Sequence, residues 1–133
     1  MMVLVDTSVW IEFFVGRQIP QVNILETLIT EKSDICVCGI ILTEVLQGIR
    51  REKEYIKTKG LFESLIFLPM TYNTFVRSAE MYRDLRHRGI TIRNPVDCMI
   101  ASVAIEHDIP LLHNDRDFNR IEEHFGLSPI HEI

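Results

Sequence analysis

Four carboxylates, Asp6, Glu44, Asp97 and Asp115, stand where apolar segments end or helices begin, and Asp117 follows the last of them by two residues. Acids scattered along helix surfaces are ordinary solvated charge. Acids repeated at the junctions of alternating strands and helices can converge at one edge of a sheet, and convergent carboxylates repel unless a cation lies between them. Carboxylates and water suit Mg²⁺ or Mn²⁺, hard cations that take oxygen ligands in near-octahedral geometry. Two such ions about 3.5 to 4 Å apart activate a water, position a scissile phosphate and stabilise the leaving oxygen. The chemistry implied is phosphodiester hydrolysis assisted by one or two ions.

Taken singly, most of these acids have a plainer explanation. Asp6 precedes Thr7 and Ser8 at a helix start, where it caps free amides. Asp97 lies in the first turn after Asn94-Pro95 and complements a helix dipole. Asp115 and Asp117 sit in a polar loop whose turn and cap chemistry accounts for both. Glu44 is different, because it flanks the apolar stripe of its helix, where a carboxylate is costly unless it faces a polar cleft. The combination carries the inference.

Arg83, Arg86, Arg88 and Arg93 lie just before Asp97, and Arg116 stands between the last two acids. They are candidate contacts for a polyanion beside the metals. Cations at a helix end also complement its dipole without any ligand. His113 reads as a packed or capping residue, and Trp10, Phe13 and Phe14 as core aromatics beside a buried strand.

The elements that position these residues alternate. Met2 to Asp6 is an apolar run that reads as a buried strand. Val9 to Val15 and Pro20 to Lys32 read as helices, Ile35 to Cys38 as a second strand, and Ile40 to Arg50 as the helix bearing Glu44. Arg51 to Ile66 reads as helical, with Gly60 weakening the case for one unbroken helix and leaving a helical hairpin open. Ile66 to Leu68 is a candidate third strand. Thr71 to Arg88 is a helix with an expected apolar stripe of Tyr72, Phe75, Val76, Ala79, Tyr82 and Leu85, ended by Gly89. Asn94-Pro95 opens a helix to about His107. Ile109 to Leu112 is a strand, Asn114 to Phe125 a helix, and Pro129-Ile130 a final short edge strand. This alternation predicts an α/β domain whose sheet is mostly parallel, with its functional crevice outside the carboxyl ends of the strands.

Length and composition are compatible with one such domain over 1–133: 133 residues, 47% hydrophobic and 25% charged. The longest mostly apolar run, Ile35 to Leu42, is far short of the roughly 18 residues that span a membrane. The first residues carry no basic segment ahead of their apolar run, so a cytoplasmic protein is expected. Cys36, Cys38 and Cys98 contain no C-x-x-C pair and read as core residues. The net charge of -5 argues at first against a nucleic-acid partner. Without the four junction acids and Asp117, however, the remaining Asp and Glu equal the 14 Lys plus Arg in number. The acidity belongs to the proposed site, and divalent cations would offset most of it.

Four segments, Leu4-Val5-Asp6-Thr7-Ser8-Val9-Trp10-Ile11, Leu42-Thr43-Glu44-Val45-Leu46-Gln47-Gly48, Asp97-Cys98-Met99-Ile100-Ala101 and Asn114-Asp115-Arg116-Asp117-Phe118, resemble in order and spacing the PIN-domain ribonucleases. The resemblance is closest to the VapC-type toxins of bacterial and archaeal toxin-antitoxin pairs. It implies that Asp6, Glu44, Asp97 and Asp115 are metal-binding acids, that Asp117 assists, and that Ser8 is a polar position beside the site and a candidate RNA contact. Many members have Thr where this chain has His113, which leaves open how Asp115 and Asp117 divide the fourth position. The resemblance also implies a parallel five-stranded sheet, a homodimer, Mg²⁺- or Mn²⁺-dependent cutting of RNA, and inhibition by a cognate VapB-type antitoxin.

Two other readings use the same features. A phosphate-receiver signalling domain also has acids at strand ends, but it needs a phosphoacceptor Asp in mid-chain and a Lys after a late strand. The chain has no Lys from Gly60 onward. A non-catalytic PIN-like domain that binds RNA or protein is the other, and the intact acids argue against it.

Overall fold

The computed structural model describes residues 1–130. Strand β1 (Met2–Val5) leads through helices α1 (Thr7–Val15) and α2 (Pro20–Thr30) to β2 (Asp34–Cys38). Helices α3 (Gly39–Gln47) and α4 (Glu52–Glu63) follow, then β3 (Ile66–Leu68). Helices α5 (Tyr72–His87) and α6 (Val96–Glu106) precede β4 (Leu111–Leu112), and α7 (Arg116–His124) closes the series.

All the strands pair in parallel, in the order β3-β2-β1-β4. Val3, Leu4 and Val5 have no exposure, which explains why β1 is a continuous apolar run rather than an alternating one. β1 is central, with β2 on one side and β4 on the other. The connection therefore reverses direction between β1 and β4, and the gap at their carboxyl ends is the place where open α/β sheets bind ligands. Asp6 and the 113–117 segment leave the sheet at that gap. The core around the sheet includes Trp10, Leu25, Leu28, Ile41, Leu85, Ile100, Phe118 and Ile121.

Among the described residues the sheet has four strands, not the expected five. The segment expected to supply the fifth reduces to an isolated parallel bridge between Pro129 and Leu111, with the Leu111 amide donating to the Ser128 carbonyl at 2.9 Å. A proline has no amide hydrogen with which to extend a ladder, and β4 itself is only two residues long, starting later than the expected Ile109.

Helix α5 buries Leu85 and half-buries Tyr82 as expected, but the earlier part of the expected stripe is exposed. Tyr72 is 83% exposed and Phe75 45%, whereas Thr74, Ser78, Met81 and Leu85 are buried. The small polar residues at 74 and 78 let α5 approach α6, whose own inward positions include Ala101, Ser102 and Ala104. The Thr74 hydroxyl is bonded there: Oγ1 donates to Glu106 Oε2 at 2.9 Å and receives the Thr71 amide at 3.0 Å, closing a capping box.

Helix α4 forms within the expected helical segment and runs unbroken through Gly60. A Cβ at position 60 would meet nothing within 4 Å. Gly60→Ala is therefore expected to stabilise the protein by about 0.5–1 kcal/mol, read from urea denaturation at constant m-value. Cys36, Cys38 and Cys98 are buried and free, as the core reading expected.

Candidate active site

Asp6 follows β1 and caps α1. Its Oδ2 accepts the Ser8 amide at 3.0 Å and the Ser8 hydroxyl at 2.6 Å. Ser8 Oγ in turn accepts the Asn114 amide at 2.9 Å, so one hydroxyl ties the end of β1 to the loop after β4. Beside it, Thr7 Oγ1 donates to Glu44 Oε1 at 2.8 Å, which holds the α3 carboxylate toward the β1 end. Sequence reasoning treated Thr7 only as part of a helix start, and nothing in the local sequence distinguishes a cap from a residue that reaches across to α3.

Asp97 enters from the first turn of α6, where the Asn94 side chain accepts the Val96 amide at 3.1 Å and so begins the helix. Asp115 caps α7 by accepting the Asp117 amide at 2.9 Å. Oxygens of Asp97, Asp115 and Asp117 lie within 4.8 Å of one another. Asp6 and Glu44 stand outside that tight group but add their negative charge to Asp97.

The electrostatic consequence falls on Asp97. Burial, followed by repulsion from Asp115, Asp6, Asp117 and Glu44, pushes its carboxyl up to about 8. Its Oδ2 is buried and meets no hydrogen-bond donor among the described residues. Burial also raises Asp6, against the lowering effect of its bonds from Ser8. Behind Asp97, Cys98 is pushed up to about 11, first by burial and then by the neighbouring acids. An orphaned carboxylate oxygen amid like charges fits a hard divalent cation, which would satisfy the oxygen and cancel the repulsion together.

Arg93 is the cation that meets this cluster. Its backbone amide and Nε both reach Asp117 Oδ2, at 3.0 and 3.3 Å, and its Nη2 reaches Asp115 Oδ1 at 3.2 Å. Hydrogen bonding to Asp117 raises the guanidinium above its ordinary value. Asp117 is thus 7% exposed and bound through one oxygen to the loop that leads into α6. The other arginines named from sequence are placed differently. Arg88 pairs with Asp84 at 3.3 Å, Arg86 lies 5.8 Å from the Tyr82 ring centroid, and Arg83 is exposed on α5. Arg116 is exposed at the start of α7.

His113 packs against Phe118 and bonds through Nε2 to Glu122, while its Nδ1 accepts the Asp115 amide at 3.3 Å. The imidazole thereby orients the loop bearing Asp115, the position for which the resemblance implied a hydroxyl. Trp10, Phe13, Phe14 and Phe62 form one aromatic cluster, with Trp10 fully buried and Phe14 43% exposed.

The PIN domain family matches residues 3–124. VapC ribonuclease Mb1587 of Mycobacterium bovis is 34% identical over 122 residues, covering 90% of this chain and 91% of that protein. Ribonuclease VapC1 of Methanocaldococcus jannaschii is 32% identical over 127 residues, covering 94% and 84%. Among solved structures, DNA-bound VapBC from Salmonella typhimurium aligns with a TM-score of 0.77 at 21% identity, over 98% of this chain and 97% of that one. The structural likeness bears on the fold alone. With a family match from the first strand to the last helix, and relatives above 30% identity across nine-tenths of the chain, this protein belongs to the PIN-domain family.

Proposed function

We propose that the protein is an endoribonuclease that hydrolyses RNA phosphodiester bonds, and that it acts as the toxin of a VapBC-type toxin-antitoxin pair. The observation that carries the reading is the buried, donor-less Asp97 Oδ2 within 4.8 Å of Asp115 and Asp117 oxygens at the switch point of the sheet. The family membership and the ribonuclease names of its relatives support it.

Asp97 and Asp115 would hold a divalent ion, with Asp6 and Glu44 completing its surroundings and Asp117 assisting from the α7 side. When bound, Mg²⁺ or Mn²⁺ supplies the positive charge that acidifies a water and screens the phosphate. Ser8 and Thr7 keep the Asp6 and Glu44 carboxylates aimed into the gap, and His113 keeps the Asp115 loop in place. In the hydrolysis, the water oxygen bonds to phosphorus and the bond to the 3′ oxygen breaks, leaving a 5′-phosphate and a 3′-hydroxyl. Arg93, bonded to Asp117 and Asp115, would stand beside the acids to meet the phosphate's charge.

The described residues contain no helix long and apolar enough to cross a membrane. The reading further holds that the protein works in the cytoplasm as a homodimer and is silenced by a small VapB-type antitoxin. The test is incubation of purified protein with labelled RNA. Cleavage is expected with Mn²⁺ or Mg²⁺ and none after thorough chelation, with restoration on adding the ion back. Cleavage that survives chelation overturns the metal assignment, and intact RNA under every ionic condition overturns the nuclease.

A further inference from the structure

A cleft of about 460 Å³ lies beside the acids, lined by Gly89, Thr91, Arg93, Arg116, Asp117 and Arg120. Three of those six side chains are guanidinium groups. Arg116 and Arg120 are four residues apart on α7, so they share one face of that helix, one turn or about 5.4 Å apart along its axis. Both are exposed, and neither forms a salt bridge among the described residues. Like charges repel at this spacing, and no acid on α7 other than Asp117 lines the cleft to relieve them. Asp117 is itself already taken by Arg93.

The opposite wall is small and polar. Gly89 has a φ of +78°, and a Cβ there would meet nothing within 4 Å, so the wall stays open to an extended ligand. Thr91, exposed two residues on, also lines the cleft. A second cleft, on the far side of Arg116, is lined mainly by uncharged polar groups including Gln21, Asn114 and Asn119. Arg116 lines both clefts, whereas Arg93 and Arg120 line only the first, which therefore holds more guanidinium groups than the second.

We propose that this cleft is a phosphate-binding subsite, in which Arg116 and Arg120 grip the phosphodiesters of the RNA strand next to the one being cut. The subsite rests on the ribonuclease reading above. The helical turn that separates the two guanidinium groups is comparable with the step between successive phosphates of an extended strand. Contact to phosphate carries no base information, so the subsite holds the strand in register over the acids and adds affinity without sequence preference. Arg120, which sequence reasoning did not single out, becomes a binding residue on this account.

The test measures binding separately from cutting. A short fluorescein-labelled single-stranded oligoribonucleotide is titrated with the Asp97→Asn protein, alone and carrying Arg116→Gln with Arg120→Gln, across a salt series. The double change is expected to weaken binding at least about tenfold and to flatten the slope of log Kd against log salt by about 1.4, about 0.7 for each lost phosphate contact. Lysine at both positions is expected to recover most of the slope, which a merely structural role would not do. Unchanged affinity and slope in the glutamine protein, with the parent still binding RNA, overturns the subsite and leaves the nuclease standing. Weakened binding of poly-glutamate with RNA binding unchanged also overturns it, in favour of an acidic protein partner. Absence of RNA binding by the Asp97→Asn protein, together with intact RNA when the unsubstituted protein is given Mn²⁺, overturns the nuclease reading and this subsite together.

Discussion

Asp97→Asn is expected to leave a folded protein whose RNA cleavage, followed by gel electrophoresis under single-turnover conditions, is at least about 100-fold slower. Changes in groups that merely support metal ligands cost about 10- to 100-fold, and on the proposed function Asp97 would bind the ion directly. The substitution keeps the size of the side chain and removes its charge. It also removes a strained ionisation, since burial and four neighbouring carboxylates push the Asp97 carboxyl up to about 8. Fold should therefore survive while catalysis does not, and circular dichroism separates the two. Cleavage at the parent rate, with contaminating nuclease excluded, would sink the assignment.

The same residue predicts how stability follows pH. In the folded protein without divalent ions, Asp97 keeps its proton up to about 8, whereas in the unfolded chain it releases it near the ordinary 3.8. Between those values the folded state holds a proton that the unfolded state lacks, so stability falls as pH rises, by up to about 1.4 kcal/mol per pH unit from this group. The upward shift of Asp6 acts in the same direction. The expected result is a metal-free melting temperature that declines from about pH 5 to pH 8. Mn²⁺ should restore it most strongly at the upper end, where the carboxylate is free to bind. In Asp97→Asn both the decline and the Mn²⁺ effect should shrink. A flat melting profile in the metal-free parent would show that the cluster is not repulsive and would remove the main physical reason for a metal.

The sequence made the acids and their order legible because each lies at a boundary between periodic segments, where a charge among apolar residues is conspicuous. It also showed a parallel α/β arrangement, because β1 and β2 are apolar runs separated by helical patterns. What stayed hidden depends on contacts between distant elements. Thr7 is an ordinary helix-start residue until α3 brings Glu44 to it. His113 looks like a packed histidine until Glu122, one turn of α7 beyond Phe118, receives it. Only the first turns of the α5 stripe were misjudged, because apolar Tyr72 and Phe75 outweighed Thr74 and Ser78 in any hydropathy count. Packing selected the small residues that allow close approach to α6. The fifth strand failed at a proline whose presence was visible but whose position in the ladder was not.

Two of the acids do a second job, since Asp6 caps α1 and Asp115 caps α7 through side-chain bonds to backbone amides. Selection on folding alone would keep Asp or Asn at both places in a descendant that had ceased to cut anything, because the two serve almost equally well as caps. Asp97 caps nothing, and its charge burdens the fold. Among diverging copies of this gene, positions 6 and 115 would therefore be slow to record a loss of catalysis, and position 97 would be the first to drift.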